Sequence, residues 1–163
     1  VQFVIQPILI VGVIFHFIMG MVLEVQNRAA RPIGYASYNG AANASWASRN
    51  MIYTGLVVLA FLGLHFYDFW FPEMAYKYVD GNPLEATRYI VELQHKFVSP
   101  VRTGLYCVSF ILLALHLWHG FSSSFQSVGA RRVSVGTQKF GYAFAIIIPL
   151  GFIFIALFHH FNH

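Results

Sequence analysis

Three of the eight histidines lie inside long apolar segments, where an ionisable side chain is costly and usually functional. His16 lies in VIFHFIMG, His65 in FLGLHFYDFW and His116 in LALHLWHG. An imidazole in such a setting can ligate a metal, relay a proton or simply hydrogen-bond a backbone carbonyl. The depth of each histidine in its segment helps to decide among these roles.

Four apolar stretches must position these histidines. Residues 1–26, 50–71, 100–126 and 140–161 each provide the length of about 20 residues that a helix needs to cross a bilayer. The chain is 58% hydrophobic and 10% charged, whereas about a quarter of the residues of a soluble domain are charged. The sequence therefore predicts an all-α integral membrane bundle, with four transmembrane helices in a single domain covering residues 1–163.

The basic residues predict the orientation of these helices. The first and third connections, residues 27–49 and 127–139, together carry six lysines and arginines, and the second connection, residues 72–99, carries three. By the positive-inside rule, the first and third connections are cytoplasmic. The same rule explains the net charge of +4, so no nucleic-acid partner is expected.

In this orientation, the first and third helices run from the outside to the inside, and two histidines lie at one depth. His16 is ten residues before Gln26 and His116 is ten residues before Gln126, which puts both imidazoles about 15 Å from the inner edge. One imidazole on each face of the iron is what a bis-histidine haem requires. Glycines near both histidines would leave room for the ring: Gly12, Gly20, Gly104 and Gly120. A carbonyl-bonded interior histidine is the alternative for each.

His65 is expected at a different depth. It lies 15 residues after Asn50 on a helix that runs outward, about 22 Å from the inner edge. The different depth of His65 therefore predicts a second haem, nearer the outer surface, with another axial ligand opposite His65. The histidines at the end of the last helix are too shallow for that role: His159, His160 and His163. Because Val1 opens directly into an apolar helix, we expect the partner on a further helix before it.

Other polar residues are candidates for weaker contacts. Six residues near the inner helix ends are propionate candidates, with ordinary membrane anchoring as the alternative: Ser45, Trp46, Arg49, Gln126, Arg131 and Arg132. His119 could contact a propionate, a quinone or a partner subunit, and His95 is expected at the surface. Asp68, Tyr67 and Trp70 could line an outer quinone pocket, and an aromatic belt is the competing interpretation.

Four stretches of the sequence carry a family resemblance: IFHFIMG, LGLHFYDFW, LHLWHGFSSSFQSVG and the NRAARPIGYA…SWASRN connection. Together they resemble the cytochrome b subunit of succinate:quinone and menaquinol:fumarate oxidoreductases. Over essentially the whole chain, the similarity is to the single-subunit, five-helix, dihaem type. The resemblance implies two haems b, with His16 and His116 as ligands of the inner haem and His65 as a ligand of the outer haem. The family's first helix, with its ligand, has no counterpart here.

The resemblance also implies partners and a location. A flavoprotein subunit carrying FAD and an iron–sulfur subunit would dock on the cytoplasmic face of the bacterial inner membrane. Dicarboxylate chemistry would occur on the flavoprotein, so no catalytic residue is expected in this chain. Electrons would pass to or from a membrane quinone, with menaquinone expected. Some fumarate-reducing members have a proton-route glutamate where this chain has Ala114.

Two other functional classes remain open from the sequence. One is a haem-b subunit of a different quinone-linked enzyme, such as a hydrogenase or formate dehydrogenase. The other is a haem-free transporter whose intramembrane histidines relay protons. A haem spectrum separates the transporter from both cytochromes.

Overall fold

A computed structural model describes residues 3–30, 49–83, 85–127 and 135–162. These residues form five helices: α1 (Ile5–Ala29), α2 (Met51–Val79), α3 (Ala86–Phe97), α4 (Pro100–Ser127) and α5 (Val135–Phe161). The described ranges contain no β-strand. The predicted all-α fold class is therefore confirmed.

Four of the helices are long and apolar enough to cross a membrane. They are α1, α2, α4 and α5, with lengths of 25 to 29 residues over their apolar spans. A helix of that length extends about 40 Å, which exceeds the hydrocarbon core of about 30 Å. The chain is thus a multi-pass membrane protein. The short helix α3 has the periodicity of an amphipathic helix and lies between two of the spans.

Helix α2 continues beyond the end that the sequence predicts. Residue 71 precedes Pro72, which suggests a helix end, yet the helix runs on to Val79. The turn before the proline, Phe66–Trp70, is π-helical, and a second π turn follows at Ala75–Val79. A proline in a regular α-helix clashes with the carbonyl four residues earlier and leaves it without a donor. The widened turn accommodates both effects, so the helix continues.

By its internal contacts the chain divides into two compact units, Val1–Gly55 and Leu56–His163. The first unit contains α1, whose described side chains are all at least partly exposed. Near its C-terminal end, Arg28 donates a hydrogen bond of 2.7 Å to Glu24. The second unit contains α3, α4, α5 and most of α2.

In the second unit, α4 and α5 pack through a stripe of small residues. Gly141, Ala145 and Pro149 follow one another at intervals of four and are all buried. Four-residue spacing puts them on one face of the helix, and small side chains there let two membrane helices approach closely. Against this face, α4 presents Phe121 at Gly141, and its Trp118 stacks on Tyr142 at 4.2 Å between ring centroids.

An aromatic cluster joins α2, α3 and α4 at the other end of the unit. Phe61, Phe97, Tyr106 and Phe110 are buried in it. Tyr106 meets Phe61 and Phe97 edge-on, at centroid distances of 5.1 Å and 5.2 Å. Edge-to-face contacts of this kind add to the burial of apolar area. The cluster therefore fixes the second half of α2 against α4.

Charged residues hold α3 against the end of α2. The Arg88 guanidinium pairs with Glu73 and Glu92, and it lies 3.7 Å from the ring centroid of Tyr76. Burial acts to lower the pKa of Arg88, but Glu92, Tyr89 and Glu73 outweigh it and raise that pKa. The resulting network orders the short turn between α2 and α3.

Candidate functional site

His16 and His116 lie at similar distances from the C-terminal ends of their helices. His16 is 13 residues before Ala29, and His116 is 11 residues before Ser127. At 1.5 Å per residue these separations are about 20 Å and about 17 Å. His16 is exposed on its helix and His116 is half-buried. The two separations therefore differ by only about 3 Å.

The surface of α1 around His16 suits a flat ligand. Gly12 and Gly20 lie four residues before and after His16, so the three residues share one face. Among the described residues of that unit, no atom lies within 4 Å of a Cβ added at either glycine. Because the glycines on either side of His16 carry no side chain, there is room for a planar macrocycle bound to its imidazole.

His65 lies at the middle of α2, 14 residues from each end. Its ring contacts those of Phe61 and Phe69, at centroid distances of 5.9 Å and 5.3 Å, and remains exposed. The π turn Phe66–Trp70 begins directly after it. π-helical turns are frequent at functional sites, because they change the direction in which the following side chains point.

Several of the weaker sequence candidates can be located only in part. Arg49 is exposed, and His119 is half-buried on α4 next to Trp118. For Gln126 the structure describes only the backbone, within α4. Four candidates lie outside the described residues: Ser45, Trp46, Arg131 and Arg132. The propionate contacts predicted for this group stay predictions.

The structure reveals a buried charged cluster around Asp68, in the π turn of α2. The Asp68 side chain is fully buried. Tyr106 of α4 donates its hydroxyl proton to Asp68 Oδ2 at 3.0 Å. Arg102 Nε lies 3.4 Å from Oδ2, and Lys96 Nζ lies 3.5 Å from Oδ1. We call Asp68, Lys96, Arg102 and Tyr106 the Asp68 cluster.

The charges of the Asp68 cluster do not cancel. Its one carboxylate faces two cations, so the cluster carries a formal charge of +1. The cations are partly exposed, with 24% of the Lys96 side chain and 33% of the Arg102 side chain accessible. Among the described residues, no group donates a hydrogen bond to Asp68 Oδ1. Ion pairing at both oxygens compensates for the burial of the carboxylate.

The Asp68 cluster differs from the pocket that the sequence suggests. Tyr67 is 66% exposed, whereas the Asp68 carboxylate is fully buried. The indole of Trp70 lies tilted against the ring of Phe66 and edge-on to the ring of Phe71. Instead, the partners of Asp68 come from α3 and α4. A single acidic residue in an apolar segment requires such partners. The sequence therefore indicates that Asp68 has partners, although it does not identify them.

We expect Tyr106→Phe to destabilise the second unit by about 1.5–3 kcal/mol, the cost of a lost hydrogen bond to a charged group. The ring and its edge contacts remain, so the change isolates the hydroxyl. Thermal unfolding in detergent, followed by circular dichroism, measures the loss. Tyr67→Phe is the matched control, because the Tyr67 side chain is 66% exposed. Equal melting temperatures for the two variants would contradict the assigned role of the hydroxyl.

At the end of α5, His160 joins the helix to α3. Its Nδ1 lies 2.7 Å from the carbonyl oxygen of Phe97, and Gln94 donates to the carbonyl of Asn162 at 3.1 Å. His160 thus makes a contact between the end of α5 and a backbone carbonyl at the end of α3. Its neighbour His159 packs edge-on against Phe158.

Across the part of the chain that the structure describes, no three His, Cys, Asp or Glu side chains are grouped to hold a metal ion. A bis-histidine haem needs only two protein ligands, so that finding concerns other kinds of metal site. The chain matches no protein-family model, no curated protein and no solved structure.

Proposed function

We propose that this chain is a dihaem cytochrome b membrane anchor of a respiratory complex II, passing electrons between an iron–sulfur subunit and a membrane quinone. The observation that carries the proposal is the pair His16 and His116. Each lies deep inside an apolar helix, at nearly the same distance from that helix's C-terminal end. Two intramembrane imidazoles at one depth suit an axially ligated haem better than two unrelated roles.

Two further features support the proposal. The backbone next to His16 is bare at Gly12 and Gly20, which leaves space for a planar ring. His65 provides a third imidazole on another span, at the centre of α2. Three histidines on three membrane helices fit one complete haem and one face of a second. The sequence resemblance points to the same ligand set.

In this function, His16 and His116 would hold the inner haem and His65 one face of the outer haem. When bound, haem supplies one-electron exchange at its iron. The chain's own part is to orient the imidazoles and exclude water. Phe61 and Phe69 restrict the ring of His65, and the apolar spans give a low dielectric around the redox centres.

The proposal includes the setting of the chain. A flavoprotein with FAD and an iron–sulfur subunit would lie at the cytoplasmic face of a bacterial inner membrane. Succinate or fumarate would react on the flavoprotein, and menaquinone would exchange electrons with the haems inside the membrane. The enzyme activity would belong to the complex, with this chain as its membrane subunit.

A haem-free proton-coupled transporter is the second candidate. The Asp68 cluster favours it, because a buried carboxylate next to a span's histidine is also a feature of proton pathways. A transporter, however, gives no reason for His16 and His116 to share a depth. Haem content distinguishes the two functions.

The reduced-minus-oxidised optical spectrum of the purified complex tests the proposed function. We expect a b-type α-band and a haem content of about two per chain, by analogy with bis-histidine cytochromes. Reduction by succinate in the presence of the partner subunits should produce the same band. A purified complex without any b-type band would contradict the proposal and favour the transporter.

A further inference from the structure

We propose that the Asp68 cluster sets the redox potential of the outer haem through its fixed charges; this inference rests on the proposed function, in which His65 ligates that haem. Asp68 lies three residues after His65 on α2. Residues three apart on a helix occupy neighbouring positions on its surface. The cluster therefore lies next to one proposed ligand.

The geometry keeps the carboxylate in one place. Tyr106 holds Oδ2 by a hydrogen bond, and Arg102 approaches the same oxygen. Lys96 approaches Oδ1 from the end of α3. Because three elements fix its position, the negative charge keeps a constant distance from the His65 ring. A fixed charge in a low-dielectric region acts more strongly on a neighbouring site than a mobile surface charge does.

The sign of the effect follows from the charge on the iron. Two neutral imidazoles leave ferric haem with a net positive charge, and reduction removes that charge. The Asp68 carboxylate stabilises the ferric form and so lowers the potential. Lys96 and Arg102 have the opposite effect and limit the size of the shift. Neutralising the acid and neutralising a cation should therefore move the potential in opposite directions.

A merely structural role would not give that pattern. Asp68, Lys96 and Arg102 belong to one set of contacts, so the loss of any one of these side chains loosens the same region. Loosening admits water and changes the potential in one direction, whichever residue is replaced. Opposite shifts identify electrostatics as the cause.

The experiment is a redox titration of both haems in the purified full complex, followed at the α-band. We expect Asp68→Asn to raise the outer potential by at least about 59 mV, which is tenfold in the ferric-to-ferrous equilibrium. Lys96→Met should lower it, and Asp68→Glu should leave it close to the original value. The inner haem should keep its potential in every variant.

Asp80→Asn is the matched control for charge, because Asp80 is exposed beyond the end of α2 and twelve residues past Asp68. It should leave both potentials unchanged. Shifts of one sign for Asp68→Asn and Lys96→Met, or no shift in either, would overturn the inference while the haems remain present. Lys96 is partly exposed, so its variant tests the inference even if Asp68→Asn fails to fold. A complex without haem would overturn both this inference and the proposed function.

Discussion

Replacing either His16 or His116 by alanine should remove one haem from the complex and leave the other in place. The two imidazoles are proposed to hold the same iron, so each single variant should lose that haem completely. The haem content should fall from about two to about one per chain, and the inner haem's step in the redox titration should disappear. The double variant should lose no more than either single variant.

His95→Ala is the matched control for these variants, since His95 is exposed on α3 outside the membrane spans. It should keep the full haem content. His65→Ala should remove the other haem and spare the inner one. Equal loss of both haems in the His16 variant, or no loss at all, would contradict the pairing of His16 with His116.

Gly141→Leu should strongly destabilise the second unit. A Cβ at Gly141 would overlap the ring of Phe121, so α4 and α5 would have to separate where the small residues of α5 now meet α4. Forced overpacking of this kind costs about 1–3 kcal/mol, and sometimes more. The chain's one cysteine, Cys107, packs against the aromatic cluster. Its reaction with a fluorescent maleimide during a thermal ramp therefore reports unfolding of this unit.

Gly151→Leu makes the same substitution on the same helix at an open position, where no described atom lies within 4 Å of an added Cβ. It should leave the melting temperature nearly unchanged. Adding Phe121→Ala to Gly141→Leu should recover part of the lost stability, because the overlapping ring is removed. Equal melting temperatures for the two leucine variants would contradict the assigned packing.

The existence of the four spans is predictable from sequence, because hydropathy over about 20 residues determines whether a segment can cross a bilayer. The residue at which α2 ends is not predictable from the sequence. Pro72 normally ends a helix, and nothing local indicates that the turn Phe66–Trp70 widens to accommodate it. The stripe of Gly141, Ala145 and Pro149 is visible as a four-residue spacing, but its partner Phe121 is not.

The Asp68 cluster is also predictable from the sequence only in part. A single acid in an apolar run predicts that partners exist, since an unpaired buried carboxylate is costly. Which residues they are depends on how α2, α3 and α4 meet. Tyr106 is 38 positions away along the chain, and the local sequence associates Asp68 instead with its neighbours Tyr67 and Trp70. Contacts between residues so far apart along the chain can be identified only from the folded structure.

A density map of the purified complex, at a resolution that shows side chains, tests the central claim most directly. We predict a porphyrin in the membrane with the His16 and His116 imidazoles on its two faces. The two rings should coordinate one iron at Nε2 or Nδ1. Rings that point in different directions, with no porphyrin between them, would contradict the claim.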